Sequence, residues 1–160
     1  MTDNPYAGDL GSRDPVQSLG DTPKRLEAIV RRFTPGDFAR SYAPGKWSAR
    51  QIVVHLAQTE LLIQPRVRLA LTVADYIVQP FEQDDVLALE PGVSGLAALD
   101  AYLAVRRFSI PMLSALTPAQ LSTTCRHPES GVIDVRWILV MLAGHELRHL
   151  GQLEAVGAGQ

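Results

Sequence analysis

The stretch VRWILVMLAGHELRHLGQLEAV, residues 135–156, decides the fold of this chain. Within it Ile138, Leu142, His145, His149, Leu153 and Val156 recur at spacings of 4, 3, 4, 4 and 3, the rhythm of one helical face turned toward a core. Asp134 stands immediately ahead as an N-cap and no proline follows, so the stretch reads as a long last helix. Two positions of its apolar seam are imidazoles. A buried imidazole without a hydrogen-bond partner costs roughly 1–3 kcal/mol, so the pair must be satisfied by protein, water or a cation. Residues four apart share a helix face, with Cβ atoms about 6 Å apart, and both rings can turn onto one divalent ion.

Working outward, a second helix begins at the N-cap Ser48, and Ile52, Leu56, Thr59 and Ile63 hold a 4-3-4 spacing with His55 and Leu62 on the flank. It can reach Val73, with a kink expected just before Pro65. His55 on this helix would complete a set of three imidazoles. Three protein ligands leave coordination positions open for water or substrate, as in a catalytic rather than a structural metal site. The alternative stays open that each ring is bonded to a backbone carbonyl or to a carboxylate such as Glu60.

Thr22-Pro23 supplies a cap and a first-turn proline for another helix, with Leu26, Ile29, Val30 and Phe33 inward, ending at Pro35-Gly36. Ser94-Gly95 opens a further one to about Leu116, with Leu96, Leu99, Leu103, Ile110 and Leu113 inward and a bend at Pro111. Residues 75–94, with Pro80, Asp84-Asp85 and Pro91-Gly92, read as a long crossing connection with room for one helical turn. Thr117-Pro118 starts a short turn, and residues 125–131 read as a loop. The sum is an all-α four-helix bundle over residues 22–160, preceded by an arm, residues 1–21, that lies over the domain or moves.

Composition narrows the function. The chain has 160 residues, 46% of them hydrophobic, enough for one domain with a sizeable core. Its 15 Lys and Arg are dispersed in a net charge of −2, so no basic stripe exists for a phosphate backbone and nucleic acid is not an expected partner. No apolar run reaches the ~18 residues of a membrane span, and the polar N-terminus lacks signal-peptide regions. The expectation is a cytoplasmic protein acting on a small molecule, with its single cysteine, Cys125, an incidental thiol.

The string His145-Glu146-x-x-His149 also invites a peptidase reading, with Glu146 as general base. Only eleven residues follow His149, and the sequence before the motif shows no convincing edge strand to hold a peptide. Glu146 instead reads as a solvated or supporting carboxylate, one position and about 100° away from the ligand row. Gln152 and Thr59 should face the same cavity as the histidines and could orient water or substrate; with Glu146 they are the candidate catalytic residues. His127 and Asp84 read as solvated loop residues, Trp47 as a staple at the start of its helix, and Arg50, Arg136 and Arg148 as surface or inter-helix pairing groups.

Gly45-Lys46-Trp47-Ser48 running on to His55-Leu56-Ala57, with His145-Glu146-Leu147-Arg148-His149 far downstream, resembles the DinB superfamily, and most nearly its YfiT-like branch of metal-dependent hydrolases. His127-Pro128-Glu129-x-Gly131 and Pro80-Phe81 add weaker YfiT-like features. The resemblance implies a four-helix bundle with a long crossover, and zinc or nickel held at one end by His55, His145 and His149. It also implies a homodimer. Activities in the superfamily include transfer of low-molecular-weight thiols such as bacillithiol and a mycothiol-dependent isomerisation, so the expected reaction is hydrolysis or thiol S-transfer. The alternative expectation is a non-enzymatic, stress-related module that binds a metal or ligand. A divalent ion can lower the pKa of bound water to about 7 and can do the same for a thiol, so one centre serves either chemistry.

Overall fold

The computed structural model describes residues 3–159; Met1 and Thr2 of the expected arm, and the final Gln160 of the expected domain, lie outside them. The elements in chain order are α1 (Ala7–Leu10), α2 (Pro15–Val30), α3 (Pro35–Ala39), α4 (Ala49–Leu62), α5 (Gln64–Thr72), α6 (Gln83–Ala88), α7 (Gly95–Ser114), α8 (Pro118–Leu121), β1 (Thr124–His127), β2 (Gly131–Asp134) and α9 (Val135–Gly157). Helices α2, α7, α4 and α9 close a ring in which each packs on the next, the four-helix bundle, with α5 continuing α4. The connection from α5 to α7 carries α6 and is tied to α4 by Gln58, whose Nε2 donates to Val86 O and to Glu90 Oε2. Among the described residues no helix is long and apolar enough to cross a membrane.

Local chemistry explains the element boundaries. Ser48 caps α4 by accepting from Gln51 N while the Gln51 side chain accepts from Ser48 N, and Asp134 caps α9 by accepting from Trp137 N at 2.7 Å. The kink expected near Pro65 takes the form of a one-residue interruption at Ile63, after which α5 resumes with the proline in its first turn.

Four other expectations are corrected. The first bundle helix starts at Pro15, capped by Asp14, rather than at Pro23, which lies inside it. Pro23 has no N–H to give to Leu19 O, and that carbonyl accepts from Arg106 Nη1 at 2.7 Å instead. Pro35-Gly36 does not simply end a helix but opens α3, under a capping box between Thr34 and Asp37. Leu96 is 41% exposed, because Gly95, pressed against the Phe38 ring, takes the inward position. Residues 125–131 are not all loop: β1 and β2 form an antiparallel hairpin, Cys125 opposite Ile133, with both side chains in the core.

The core falls into two apolar halves. Leu26, Ile52, Leu56, Leu103, Leu150 and Leu153 belong to one, and Leu19, Ile63, Leu113, Ile138 and Leu142 to the other. Between them lies a polar layer: Glu60 in the last turn of α4, with Arg106 of α7 and Glu146 of α9 at mid-helix, all buried and ion-paired. On α9, His145 and His149 flank Glu146, and on α4 His55 lies five residues before Glu60, so the three imidazoles stand inside their helices rather than at helix termini.

Candidate metal centre

His55 lies midway along α4, and His145 and His149 midway along α9; all three are buried. Each offers one ring nitrogen to a group whose atoms lie within 4.8 Å of one another. The Nε2 atoms of His55 and His145 are 2.9 Å apart, and those of His145 and His149 are 3.0 Å apart.

Burial, then the neighbouring His149, drives the pKa of His55 down to about 3. Burial drives that of His149 to about 4 against the opposing bond from Gln152, and pushes His145 well below the ordinary histidine value. All three rings are therefore neutral near pH 7. Gln152 Oε1 lies 2.7 Å from His149 Nδ1; a carbonyl oxygen only accepts, so the proton sits on Nδ1 and the lone pair of Nε2 faces the other rings.

A neutral Nε2 carries either a hydrogen or a lone pair along a single in-plane direction, so His145 Nε2 cannot satisfy both of its close contacts through one proton. His145 Nδ1 is buried with no hydrogen-bond partner. Protein groups alone thus leave the converging Nε2 atoms under-satisfied, whereas a cation accepts all three lone pairs at once and sets the His145 proton on Nδ1. Four-coordinate ligands at about 2.0–2.1 Å from an ion are ~3.3 Å apart, so the two close pairs, His55–His145 and His145–His149, need separate by only a few tenths of an ångström to fit one. The residues present fit a divalent metal.

Aromatic groups enclose the trio. Trp47 is not merely a staple: its ring is tilted 4.8 Å from that of His55, is parallel to that of His149 within 13° at 6.2 Å, and its Nε1 donates to Asp84. Asp84, on α6, is therefore engaged rather than simply solvated. Tyr6 of the N-terminal segment meets His145 edge-on at 5.1 Å and lies 4.5 Å from the Arg148 guanidinium, which pairs with Asp9. This approach requires Gly144, since a Cβ there would stand 2.0 Å from Tyr6 O.

Two clefts flank the cluster, with Tyr6 and Gln83 in the walls of both. One, of about 340 Å³, is lined by His149, Trp47, Gln152 and Arg148; the other, of about 350 Å³, by His55, His145, Arg66 and His127.

The candidate catalytic residues part company here. Gln152 reaches the site, orienting His149 from the first cleft. Thr59 lines neither cleft and donates its hydroxyl to His55 O at 2.8 Å. Glu146 is neither solvated nor beside the rings: its carboxylate faces Arg106, whose Nη1 and Nη2 both donate to it, while Arg106 also donates to Glu60. A peptidase-type general base would have to leave that ion pair. Glu60 is likewise engaged with Arg106 and not with an imidazole. His127 is half-buried in β1, and its Nδ1 accepts from the backbone N–H groups of Glu129 and Ser130, which leaves its proton on Nε2.

Sequence reasoning missed Arg66, Arg106 and Tyr6. For Arg106 a signal existed: it continues the 4-3-4-3 seam of Leu99, Leu103, Ile110 and Leu113. Tyr6 carried none.

Comparison with known proteins matches residues 18–153 to the model of the DinB superfamily. A relative from Oceanobacillus iheyensis, named as a "putative metal-dependent hydrolase", is 25% identical over 142 residues, covering 88% of this chain and 83% of its own. One of the same name from Bacillus mycoides is 24% identical over 145 residues, covering 88% and 82%. Among solved structures, YfiT from Bacillus subtilis, described as a "probable metal-dependent hydrolase" with an unusual four-helix bundle topology, superposes with a TM-score of 0.81 at 21% identity, over 91% of this chain and 85% of that one. A mycothiol-dependent maleylpyruvate isomerase superposes with a TM-score of 0.72 at 13% identity, over 92% and 62%. These two likenesses bear on the fold.

Proposed function

The chain belongs to the DinB superfamily, and on that premise we propose that it is a metal-dependent enzyme in which His55, His145 and His149 hold one divalent ion that activates water or a small thiol. The convergence of three neutral imidazole nitrogens, one with its lone pair fixed inward by Gln152, carries this reading. Bound there, a divalent ion supplies Lewis acidity enough to bring the pKa of water, and by the same logic of a thiol, to near 7. Nitrogen ligands accept several first-row metals; zinc or nickel is the expected occupant.

The protein's own groups do the rest. Gln152 keeps His149 in the right tautomer, and Trp47 and Tyr6 limit the approach of bulk water. His127 presents a proton on Nε2 in the wall of the second cleft, suited to donating a hydrogen bond to substrate.

The names of the relatives favour hydrolysis. Two clefts that share Tyr6 and Gln83 and each reach the histidine cluster favour the second reading, in which a thiol and an electrophile enter separately. A single screen tests both. Metal-loaded protein is assayed on chromogenic esters and amides, and on cysteine or glutathione with a fluorogenic electrophile, before and after chelation. Turnover that disappears on chelation and returns with the divalent ion is expected; turnover indifferent to the metal, or unchanged in His149→Ala, overturns the proposal.

A further inference from the structure

Arg66 is in the first turn of α5, 8% exposed, and lines the same cleft as His55 and His145. Its Nη2 donates to Gln79 O at 2.8 Å, and its guanidinium lies 5.5 Å from the Phe81 ring. Among the described residues no carboxylate comes within ion-pairing distance of it, and the exposed Glu129 acts on it only at longer range. Arg106, also buried, sits between two glutamates. A guanidinium stays charged in proteins, and a buried charge without a counter-ion is among the costlier arrangements a fold can hold. One guanidinium N–H is engaged by Gln79; the remaining N–H donors have no protein acceptor among the described residues.

From this juxtaposition, an unpaired buried guanidinium in the wall of a cleft that ends on two of the three histidines, we infer that Arg66 anchors a carboxylate of the substrate. The inference rests on the proposed function and narrows its substrate class to small monocarboxylic acids, held by the acid group at Arg66 with the reacting group toward His55 and His145. The fork of an arginine matches a carboxylate in two parallel hydrogen bonds. A phosphate dianion is less suited: Arg66 is the single Lys or Arg side chain in this cleft wall, which also carries the exposed acids Glu82 and Glu129. Phe81, Ile63 and Met141 give the cleft apolar surface for an aromatic or aliphatic body, and its volume of about 350 Å³ is at the small end of ligand sites.

The test uses benzoate and its neutral isostere benzamide, with affinities measured by ligand-observed NMR on metal-loaded and metal-stripped protein. Benzoate is expected to bind both forms and to exceed benzamide by roughly 10-fold or more, the range of a charge-assisted bidentate pair. Arg66→Gln should bring benzoate down to the level of benzamide, and Arg66→Lys, which keeps the charge but loses the fork, should fall between. Metal content should match wild type in both variants. Equal affinity of the two probes for wild type, no benzoate binding at all, or full benzoate affinity in Arg66→Gln overturns the assignment. If Arg66→Gln does not fold, the wild-type pair and Arg66→Lys decide. Benzoate that binds only metal-loaded protein and ignores Arg66 removes the anchor and leaves the metal reading standing. Arg66-dependent binding to a protein that never takes up metal does the reverse.

Discussion

Replacing Arg106 by Met should destabilise the protein severely, and the structure sets the size of the effect. The guanidinium, 3% exposed, donates to both carboxylates of its flanking pair and to Leu19 O. Its loss leaves Glu60 at 1% and Glu146 at 3% exposure as like charges in an apolar interior, with the Leu19 carbonyl freed by Pro23 unpaired as well. Breaking a buried pair in this way costs about 3–5 kcal/mol, against a total stability of about 5–15 kcal/mol for a domain. In urea titrations at pH 7, with a slope of ~2 kcal/mol/M, the midpoint should fall by about 2 M. Burial already raises the Glu146 pKa from its ordinary value against the opposing pull of Arg106, and without Arg106 it rises further. A carboxyl with a raised pKa in the folded state gains stability as pH falls through that pKa. The gap between variant and wild type should therefore narrow between pH 7 and pH 5, a comparison at each pH in which the histidines cancel. Replacing Glu60 and Glu146 by Leu together with Arg106→Met should restore stability to within about 1 kcal/mol of wild type or raise it, since an apolar layer avoids desolvating three charges. A cost of Arg106→Met below about 1 kcal/mol at pH 7, or a gap that ignores pH, would refute the buried-charge reasoning.

Three more outcomes follow from the site. In metal-free protein, His55 and His149 with pKa values near 3 and 4 bind fewer protons folded than unfolded below about pH 6.5, so stability should fall as pH drops from 6.5 toward 4, by up to about 1.4 kcal/mol per pH unit for each ring; denaturant midpoints flat across that window would contradict their burial. Gln152→Ala should weaken metal affinity by roughly 10- to 100-fold while leaving the melting temperature of metal-free protein nearly unchanged, as competition with a chromogenic chelator would read out. Gly144→Ala puts a Cβ against Tyr6 O and should release the N-terminal segment, seen as faster proteolysis before Asp14; unaltered digestion would mean that the segment adjusts.

How much of this was legible in the sequence depends on whether periodicity or chain path was in control. The α9 seam, the Ser48 and Asp134 caps and the long crossover are local patterns, and the bundle could be read from them. The pairing of His145 with His149 is fixed by helix geometry; the meeting with His55 needed only that both apolar faces point inward. What the sequence hid lay elsewhere. Pro23 looks like a helix start because a first-turn proline usually is one, and only Arg106, by taking the carbonyl that Pro23 leaves free, explains a proline in mid-helix. Glu146 sits next to a histidine in sequence and on another face in space, where its partner Arg106 comes from α7. Tyr6 reaches His145 through a contact that neither residue advertises; the small residue that permits it, Gly144, could have been noticed as a glycine inside a strong helical pattern. The hairpin over residues 124–134 was masked by Pro128 and Gly131, which mark its turn, while its strands are only four residues each.

The central claim is that three imidazoles share one ion, and elemental analysis of protein prepared without an affinity tag tests it most directly. A three-imidazole centre predicts one divalent ion per chain in wild type and loss of it in each of His55→Ala, His145→Ala and His149→Ala, with Glu146→Gln still loaded if folded. Full metal content in any one of the three histidine variants, or none in wild type even after incubation with zinc and with nickel, would contradict it.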